Sequence, residues 1–374
     1  MSTRAPLLGA SLIVKNEQEH LRRCLTSLQG LCDEIVVVDT GSIDDTIAIA
    51  REFGVRLLER SWNGDFAAAR NFALDAMTST WVLYVDADEE IVETDIQFIR
   101  NALGSASEFA AFGTKVITHV GWTPYIDFRI WRHKPNIRFR GEIHETTLPD
   151  IRARAHDDGE LLANINLTIQ HHGYEGDMTA KHQRNLPLLL AQIAETPQRV
   201  NLWNHLGRVY AGLGQVIEAE RAWREGIRVV TEFGAQDGPD VFVYASLADF
   251  LIRTGRDASD VINEAIRINS SYITLLWLQA QNFFAIGQIS ESLQSLHDLM
   301  KYSAGVNLIS GFAYNKSMFT AWPLALIGDC YFELGDYDKA AMSFEEALTA
   351  GADPMEMRSK AAACRMLDAS NKSV

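Results

Sequence analysis

The sequence has 374 residues, enough for two or three domains at about 150 residues each. Hydrophobic residues make up 47% and charged residues 22%, which excludes a disordered, collagen-like or disulfide-stapled chain. The net charge of −15 repels phosphate backbones and argues against nucleic-acid binding. The four cysteines form no CxxC pair, and no apolar run reaches 18 residues. We therefore expect a cytoplasmic protein without a transmembrane segment, and peripheral membrane contact stays open.

The first 90 residues alternate short apolar runs with helical patterns. This alternation predicts strands at 8–14, 34–38, 55–58 and 81–85, with a helix between each pair of strands. Asn16 is expected to cap the first helix, and Ser42 with Asp45 is expected to open the second as an acidic capping box. A third helix is predicted at 66–77. A series of this kind implies a largely parallel sheet covered by helices.

Residues 105–172 have an irregular, strand-like pattern, and beyond about residue 183 the chain reads as helical and repetitive. Small and aromatic residues recur there at the spacing of tetratricopeptide helix hairpins, with weaker units around 247–255 and 280–287. The two clear units contain Trp203, Leu206, Gly207, Tyr210, Gly214, Ala219 and Trp223, and then Gly328, Tyr331, Gly335, Tyr337, Ala340, Phe344 and Ala347. We expect domains at 1–182 and 183–374, the second a solenoid with a concave face.

Carboxylates follow two of the predicted strands. Asp39 ends one strand, and Asp86 and Asp88 follow another. Ligands of open parallel sheets bind outside the carboxyl ends of the strands. No GxGxxG or GxxxxGK[ST] motif lies in a strand-to-helix turn, so a diphosphate needs another source of positive charge. The aspartates predict a Mn²⁺ or Mg²⁺ site, although an Asp-x-Asp pair is often only a turn.

Four motifs carry a resemblance to a known family. Residues 13–17 (IVKNE), 34–46 (EIVVVDTGSIDDT), 65–71 (DFAAARN) and 81–88 (WVLYVDAD) resemble, in this order, family 2 glycosyltransferases. The combination with a tetratricopeptide tail resembles the bacterial branch that includes the peptide S-glycosyltransferases of glycocin biosynthesis. The resemblance implies an α/β GT-A fold, which is Rossmann-like with a mostly parallel sheet and helices on both faces. An all-α helical solenoid would follow it.

The resemblance also implies a nucleotide-sugar donor, most simply a UDP-sugar, and a divalent metal. It places the nucleoside near Glu17 and Asp39, with Asp39 facing the base. Asp86 would lie near the ribose or a metal-bound water, and Asp88 would bind the metal. The donor-contacting residues are then Glu17, Asp39, Asp44, Arg70, Asp86 and Asp88. In this set Arg70 would steady the diphosphate or the sugar.

The acceptor side resembles the family at residues 128–132 and 139–145. Inverting transfer needs a base for the acceptor nucleophile. We expect Glu145 to be that base, with Glu142 and His144 behind it, although Glu145 could instead pair with an arginine. His171, in the run 171–174 (HHGY), resembles the histidine that returns to the metal in many GT-A enzymes.

Three alternatives remain at this point. A haloacid-dehalogenase phosphatase also has an Asp-x-Asp pair, but on its first strand, and a nucleotidyltransferase would need a glycine-rich basic loop after residue 14. The third is a tetratricopeptide scaffold with a degenerate nucleotide-sugar domain. The helical repeats could recruit a peptide, protein or glycan acceptor, or form a homodimer. The sugar and the acceptor cannot be read from the sequence.

Overall fold

A computed structural model describes residues 5–172, 179–235, 240–302 and 312–372. These residues form two compact units. The first consists of residues 5–120, 124–172 and 312–313, and the second of residues 121–123, 179–235, 240–302 and 314–372. Within the described part of the chain, no helix is both long and apolar enough to cross a membrane.

The first unit is an eight-stranded sheet with helices. Its elements in chain order are β1 (Leu8–Val14), α1 (Leu21–Leu28), β2 (Glu34–Asp39), α2 (Thr46–Glu52), β3 (Arg56–Glu59), α3 (Phe66–Ala76), β4 (Trp81–Tyr84), β5 (Glu89–Val92), α4 (Ile96–Ser105), β6 (Phe109–Ile117), β7 (Tyr125–Arg132), α5 (Leu148–Asp157) and β8 (Leu161–His171). The four strands expected in the first 90 residues are present with ends shifted by one residue at most.

The strand order is β3-β2-β1-β4-β7-β6-β8-β5. The β1–β2, β2–β3, β1–β4 and β6–β8 pairs are parallel, whereas β4–β7, β6–β7 and β5–β8 are antiparallel. The sheet is therefore mixed, and its first four strands in the order form the parallel half. Because β1, β2 and β4 run the same way, their carboxyl ends meet at one edge.

Helices cover both faces of this sheet, as expected. Alternate residues of β2 point to opposite faces, as the pleat requires. Val37 packs in one core cluster with α1 and α4, whereas Val36 and Val38 pack in another with α3 and α5. Two hydrophobic layers thus hold the strand ends in place.

Both capping expectations were wrong. Asn16 has a positive φ of 58° and its Oδ1 accepts the Ile43 amide at 2.9 Å, while His20 precedes α1 without a side-chain cap. Asp45 precedes α2 but makes no capping hydrogen bond. Asp44 instead accepts from the Thr46 amide at 3.0 Å. Asn16 therefore joins the turns after β1 and β2, and the first amide of α2 is bound by Asp44 rather than by Ser42 or Asp45.

The second unit is helical. Its helices are α6 (Thr179–Glu195), α7 (Val200–Gly212), α8 (Val216–Phe233), α9 (Val241–Arg253), α10 (Ser259–Ile268), α11 (Thr274–Ala285), α12 (Ile289–Met300), α13 (Ala321–Glu333), α14 (Tyr337–Thr349) and α15 (Pro354–Asn371), with a 3₁₀ turn at Lys316–Phe319. The described helices α7 to α14 form four consecutive pairs, including the two weaker units. A Cβ on Gly207 would lie 2.3 Å from Trp223, and one on Gly328 would lie 2.5 Å from Phe344. Glycine thus allows the helices of these two pairs to approach closely.

Candidate active site

Asp39 lies at the carboxyl end of β2 and is 3% exposed. Its Oδ1 accepts from the amides of Gly41 at 2.9 Å and Ser42 at 3.0 Å. Among the described residues no donor lies within hydrogen-bonding distance of the buried Oδ2. A buried acceptor without a partner is costly, so Oδ2 is suited to a donor group on a ligand.

The Asp86–Asp88 turn follows β4 and is bonded on both sides. The Glu89 carboxylate accepts the Asp86 amide at 2.8 Å, and the Glu89 amide donates to the Asp86 carbonyl at 3.1 Å. Asp88 Oδ2 lies 3.3 Å from His171 Nε2. The His172 amide donates to the Asp88 carbonyl at 2.8 Å. The end of β8 thus brings His171 to the second aspartate.

Arg70 is buried against this turn and does not lie on the surface. Its Nε donates to Glu145 at 2.5 Å and its Nη2 donates to Asp86 at 2.7 Å. The guanidinium stacks on Tyr84 and Phe139, with ring centroids 4.4 and 5.4 Å away. The Arg70 side chain is 7% exposed. Arg70 therefore joins the first aspartate of the turn to the expected base, and two of its donor groups are already used.

The DFAAARN motif holds the segment that contains Glu145. Asn71 and Phe139 exchange two hydrogen bonds of 2.9 Å each, and the Phe66 amide donates to the Glu142 carbonyl at 2.9 Å. Arg140 and Thr146 then close the segment with two backbone hydrogen bonds. Residues 139–146, hereafter the acceptor loop, are therefore attached to α3 at several points.

The remaining expected site residues have less direct positions. His144 lies in the acceptor loop with a positive φ of 54°. The Glu17 amide donates to Thr46 Oγ1 at 2.7 Å. Asp44 binds Thr46 and the Gln18 amide, so its carboxylate stabilises the turn before α2. Burial raises the pKa of Asp44, but these hydrogen bonds lower it by more, so its pKa is below the usual value. Gly173 and Tyr174, from the same run as His171, lie outside the described residues.

Glu89 was not among the expected site residues, whereas Arg129 and Tyr84 lie in the motifs at 128–132 and 81–88 but were given no role of their own. Arg129 Nη2 lies 3.1 Å from Glu89 Oε1, and both side chains are almost fully buried. The Tyr84 ring lies 4.0 Å from the Arg129 guanidinium. Burial raises the pKa of Glu89 to about 7, and Asp86 adds to the rise while Arg129 opposes it. Only an acidic residue after an Asp-x-Asp pair could have drawn attention to Glu89.

The charges of this cluster also affect Asp86. Burial raises the pKa of an aspartate, but the guanidiniums of Arg70 and Arg129 outweigh this effect. The pKa of Asp86 is therefore lowered. The carboxylate stays ionised at neutral pH and can accept hydrogen bonds.

The side chains at the turn offer few ligands for a divalent metal. No group of three or more metal-binding side chains occurs in the ranges that the structure describes. Asp88 and His171 nevertheless provide one carboxylate oxygen and one imidazole nitrogen at 3.3 Å, with side chains 23% and 12% exposed. Mg²⁺ and Mn²⁺ are commonly bound by one or two protein ligands together with substrate phosphates. The donor set fits a metal that a diphosphate helps to bind.

Comparison with protein families places this site in a known domain type. Residues 11–147 match the model "Glycosyl transferase family 2", and residues 324–350 match the model "Tetratricopeptide repeat". The first range contains the end of β1, then β2, β4 and the acceptor loop, and it ends before His171. The second contains most of α13 and α14, the last of the four helix pairs.

Curated relatives agree with these two matches. A TPR repeat-containing protein of Synechococcus elongatus is 34% identical over 223 residues, which are 58% of this chain and 55% of that protein. The SPbeta prophage-derived glycosyltransferase SunS of Bacillus subtilis is 26% identical over 241 residues, 62% of this chain and 56% of that protein. The chain thus spans about half the length of these relatives.

A solved structure also shows some similarity. Glucosyl-3-phosphoglycerate synthase from Mycobacterium tuberculosis, in complex with phosphoglyceric acid, covers 50% of this chain and 80% of its own. Its TM-score is 0.38 at 15% identity, which is too low to support a conclusion. Residues 11–147 form a family 2 glycosyltransferase domain, and a tetratricopeptide-repeat region follows it in the same chain.

Proposed function

We propose that this protein transfers a sugar from a nucleotide-sugar donor, most simply a UDP-sugar, to an acceptor nucleophile with inversion and with the help of a divalent metal. The observation that carries the proposal is the pair formed by Asp88 and His171, 3.3 Å apart at the sheet edge where β2 presents Asp39. Ligands of α/β sheets bind at this edge.

The donor would lie across the ends of β1, β2 and β4. Asp39 Oδ2 is placed to accept a hydrogen bond from an N–H of the base, and Glu17 and Asp44 line the neighbouring turns. Asp86 keeps its charge and can accept from a ribose hydroxyl. Arg70 then contributes mainly by holding Asp86 and Glu145, because its Nε and Nη2 already donate to them.

Asp88 and His171 would hold Mn²⁺ or Mg²⁺. When bound there, the cation would supply positive charge to stabilise the departing diphosphate. Asp88 comes from the turn after β4 and His171 from the end of β8, and a backbone hydrogen bond from His172 to Asp88 holds these two segments together. This bond fixes the end of β8 against the turn after β4.

On the acceptor side, Glu145 is the favoured base, and Glu142 and His144 lie in the same loop. The acceptor oxygen or sulfur would bond to the anomeric carbon while the bond from that carbon to the diphosphate oxygen breaks. The acceptor proton would pass to the Glu145 carboxylate. One oxygen of this carboxylate accepts from Arg70, and Oε2 is its second acceptor.

We propose the division of the chain into a transferase domain at 1–182 and a repeat domain at 183–374. The repeats would recruit a peptide, protein or glycan acceptor, with homodimerisation as the alternative. All four cysteines are free thiols, which supports a reducing cytoplasm. If the repeats bind the acceptor, substitutions on the concave face of the solenoid will raise the KM for the acceptor without changing the rate of donor hydrolysis.

The test is a thermal-shift panel of nucleoside diphosphates and their sugars, each with and without Mn²⁺. A ligand that binds the folded state alone raises the unfolding midpoint. We expect a uridine nucleotide to raise it, and Mn²⁺ to increase the rise. Asp88→Ala should remove the Mn²⁺-dependent part and abolish transfer, while metal-free nucleotide binding persists.

If no ligand of the panel raises the unfolding midpoint, the proposal is contradicted. This result would favour a tetratricopeptide scaffold with a degenerate nucleotide-sugar domain. An Asp88→Ala variant with full metal-dependent activity would equally refute the assignment of the metal to this aspartate.

A further inference from the structure

A closed set of contacts surrounds the Asp86–Asp88 turn. Glu89 binds the Asp86 amide, and Arg129 binds the Glu89 carboxylate through Nη1 at 3.2 Å and Nη2 at 3.1 Å. The Arg129 and Arg70 guanidiniums stack on the same Tyr84 ring. Arg70 returns to the Asp86 carboxylate at 2.7 Å. The backbone amide of Asp86 is thus held by the Glu89 carboxylate, and its side chain is held by the Arg70 guanidinium.

A turn of this kind can be stabilised without a buried carboxyl–guanidinium pair. A serine, asparagine or aspartate could accept the Asp86 amide at a surface turn without a buried charge. Here Glu89 is 1% exposed and Arg129 is 5% exposed, and burying such a pair carries a desolvation penalty. Arg129 also binds Asp127 at 2.7 Å, which fixes the guanidinium from β7. A buried carboxyl–guanidinium contact in this position points to a requirement for precise geometry.

The geometry has a direct effect on the second aspartate. Glu89 begins β5 and lies opposite His171 in the antiparallel β5–β8 ladder. Glu89 therefore both fixes the start of the turn, through the Asp86 amide, and pairs with His171, and Asp88 directly precedes it in the chain. A shift of Glu89 would change the distance between Asp88 and His171.

We propose that Glu89 is a positioning residue, held by Arg129, which fixes the Asp86–Asp88 turn so that Asp88 and His171 face a common cation. This inference rests on the proposed function. Glu89 acts through the backbone of Asp86 and through the β5–β8 ladder, and it touches neither donor nor acceptor. Arg129 acts through Glu89 and through the shared Tyr84 ring.

The test compares Mn²⁺ binding in the full chain of Glu89→Gln and wild type. Glutamine has the same shape and keeps one oxygen for the Asp86 amide, but its amide group faces the donors of Arg129. We expect the Mn²⁺ affinity in the presence of UDP, measured by electron paramagnetic resonance, to fall about tenfold or more. Metal-free UDP binding should stay unchanged, and excess Mn²⁺ should restore a large part of the transfer rate.

Glu160→Gln is the matched control. Glu160 and Arg154 form another largely buried bidentate pair in the same unit, at 2.6 and 3.0 Å, away from the turn. This variant should lower the unfolding midpoint without changing Mn²⁺ affinity. If Glu89→Gln does not fold, Arg129→Lys supplies the comparison, because lysine keeps the charge but loses the two-point contact. We expect it to weaken Mn²⁺ binding while metal-free UDP binding stays unchanged.

Two results would overturn the inference. A Glu89→Gln protein with wild-type Mn²⁺ affinity and a lowered midpoint would show a structural role alone, as would an Arg129→Lys protein with unchanged affinity. Failure of the proposed function looks different, because wild type itself would then bind no Mn²⁺ with UDP, or Asp88→Ala would bind it normally.

Discussion

Asn71 in α3 and Phe139 at the start of the acceptor loop exchange a pair of hydrogen bonds through the Asn71 amide group and the Phe139 backbone. The asparagine mimics a β-strand partner, since it satisfies both a backbone donor and a backbone acceptor. The acceptor loop is thereby aligned with α3, the helix that also presents Arg70 to Glu145.

Asn71→Ala should therefore uncouple the acceptor loop from α3. We expect the transfer rate to fall tenfold or more while UDP affinity stays within twofold, because the donor edge is untouched. Steady-state kinetics and hydrogen exchange of residues 139–146 measure the two effects. Asn101→Ala, at an exposed asparagine of α4, is the control and should change neither. Unchanged exchange in the loop of Asn71→Ala would contradict this account.

Asp39→Asn tests the unpartnered oxygen. Asparagine keeps an oxygen for the Gly41 and Ser42 amides and replaces Oδ2 by an NH₂ group. A donor that faces an N–H of the base repels it, so we expect UDP affinity to fall about 10- to 100-fold, or about 1–3 kcal/mol. Isothermal titration calorimetry measures the change. Wild-type affinity would show that Asp39 does not contact the base.

Gly207→Ala and Gly328→Ala test close packing in the helical unit. The added methyl groups would lie at 2.3 Å from Trp223 and 2.5 Å from Phe344, too close without movement. Overpacking of this kind typically costs about 1–3 kcal/mol. Denaturant titration of the free energy of unfolding provides the measurement. Gly104→Ala, in α4 with no atom within 4 Å of its added Cβ, should be neutral or stabilising.

Asp33 should contribute to stability in a pH-dependent way. It accepts from the Leu7 and Leu8 amides and from Arg100 at 2.7 Å. Burial raises the pKa of Asp33, but these partners lower it by more, so its pKa is below the usual value. A folded-state pKa below the unfolded value of about 3.9 gives stability that is present above that pH and is lost as the pH falls through the folded pKa.

The measurement for Asp33 is urea unfolding of wild type and Asp33→Asn. Hydrogen bonds to charged groups contribute about 1.5–3 kcal/mol, so we expect a destabilisation of about 1–2 kcal/mol at pH 7. The difference should shrink as the pH falls below about 4. A constant difference from pH 7 to pH 3.5 would show that the charge of Asp33 does not matter.

Much of the parallel half of the sheet could be predicted, because β1, β2 and β4 are apolar runs with charged residues at or shortly after their carboxyl ends. The helix pairs could be predicted from small and aromatic residues at fixed spacing. β5 could not, because its first residues, Glu89 and Glu90, are acidic and give no apolar pattern. A buried acid is stabilised by a partner on another strand, and a linear pattern does not contain that partner.

The same limit applies to the candidate site. The motifs indicated Asp39, Asp86 and Asp88, which lie at strand ends, and the resemblance to the family indicated His171. They did not indicate that Arg70 is shared by Asp86 and Glu145, because this depends on how α3 and the acceptor loop pack. The role of Glu145 as a base remains a prediction.

The position of β8 has a consequence for biosynthesis. β8 is the last strand of the sheet to leave the ribosome, yet it is inserted between β6 and β5 rather than added at an edge. β5 can join the sheet only after β8 has been synthesised, and His171 is the last residue of β8. A nascent chain that stops before this point has the strands that we propose for the nucleotide but lacks His171, the second of the proposed cation ligands. Completion of the sheet and completion of the proposed cation pair are therefore one event, and under the proposed function unfinished chains would transfer no sugar.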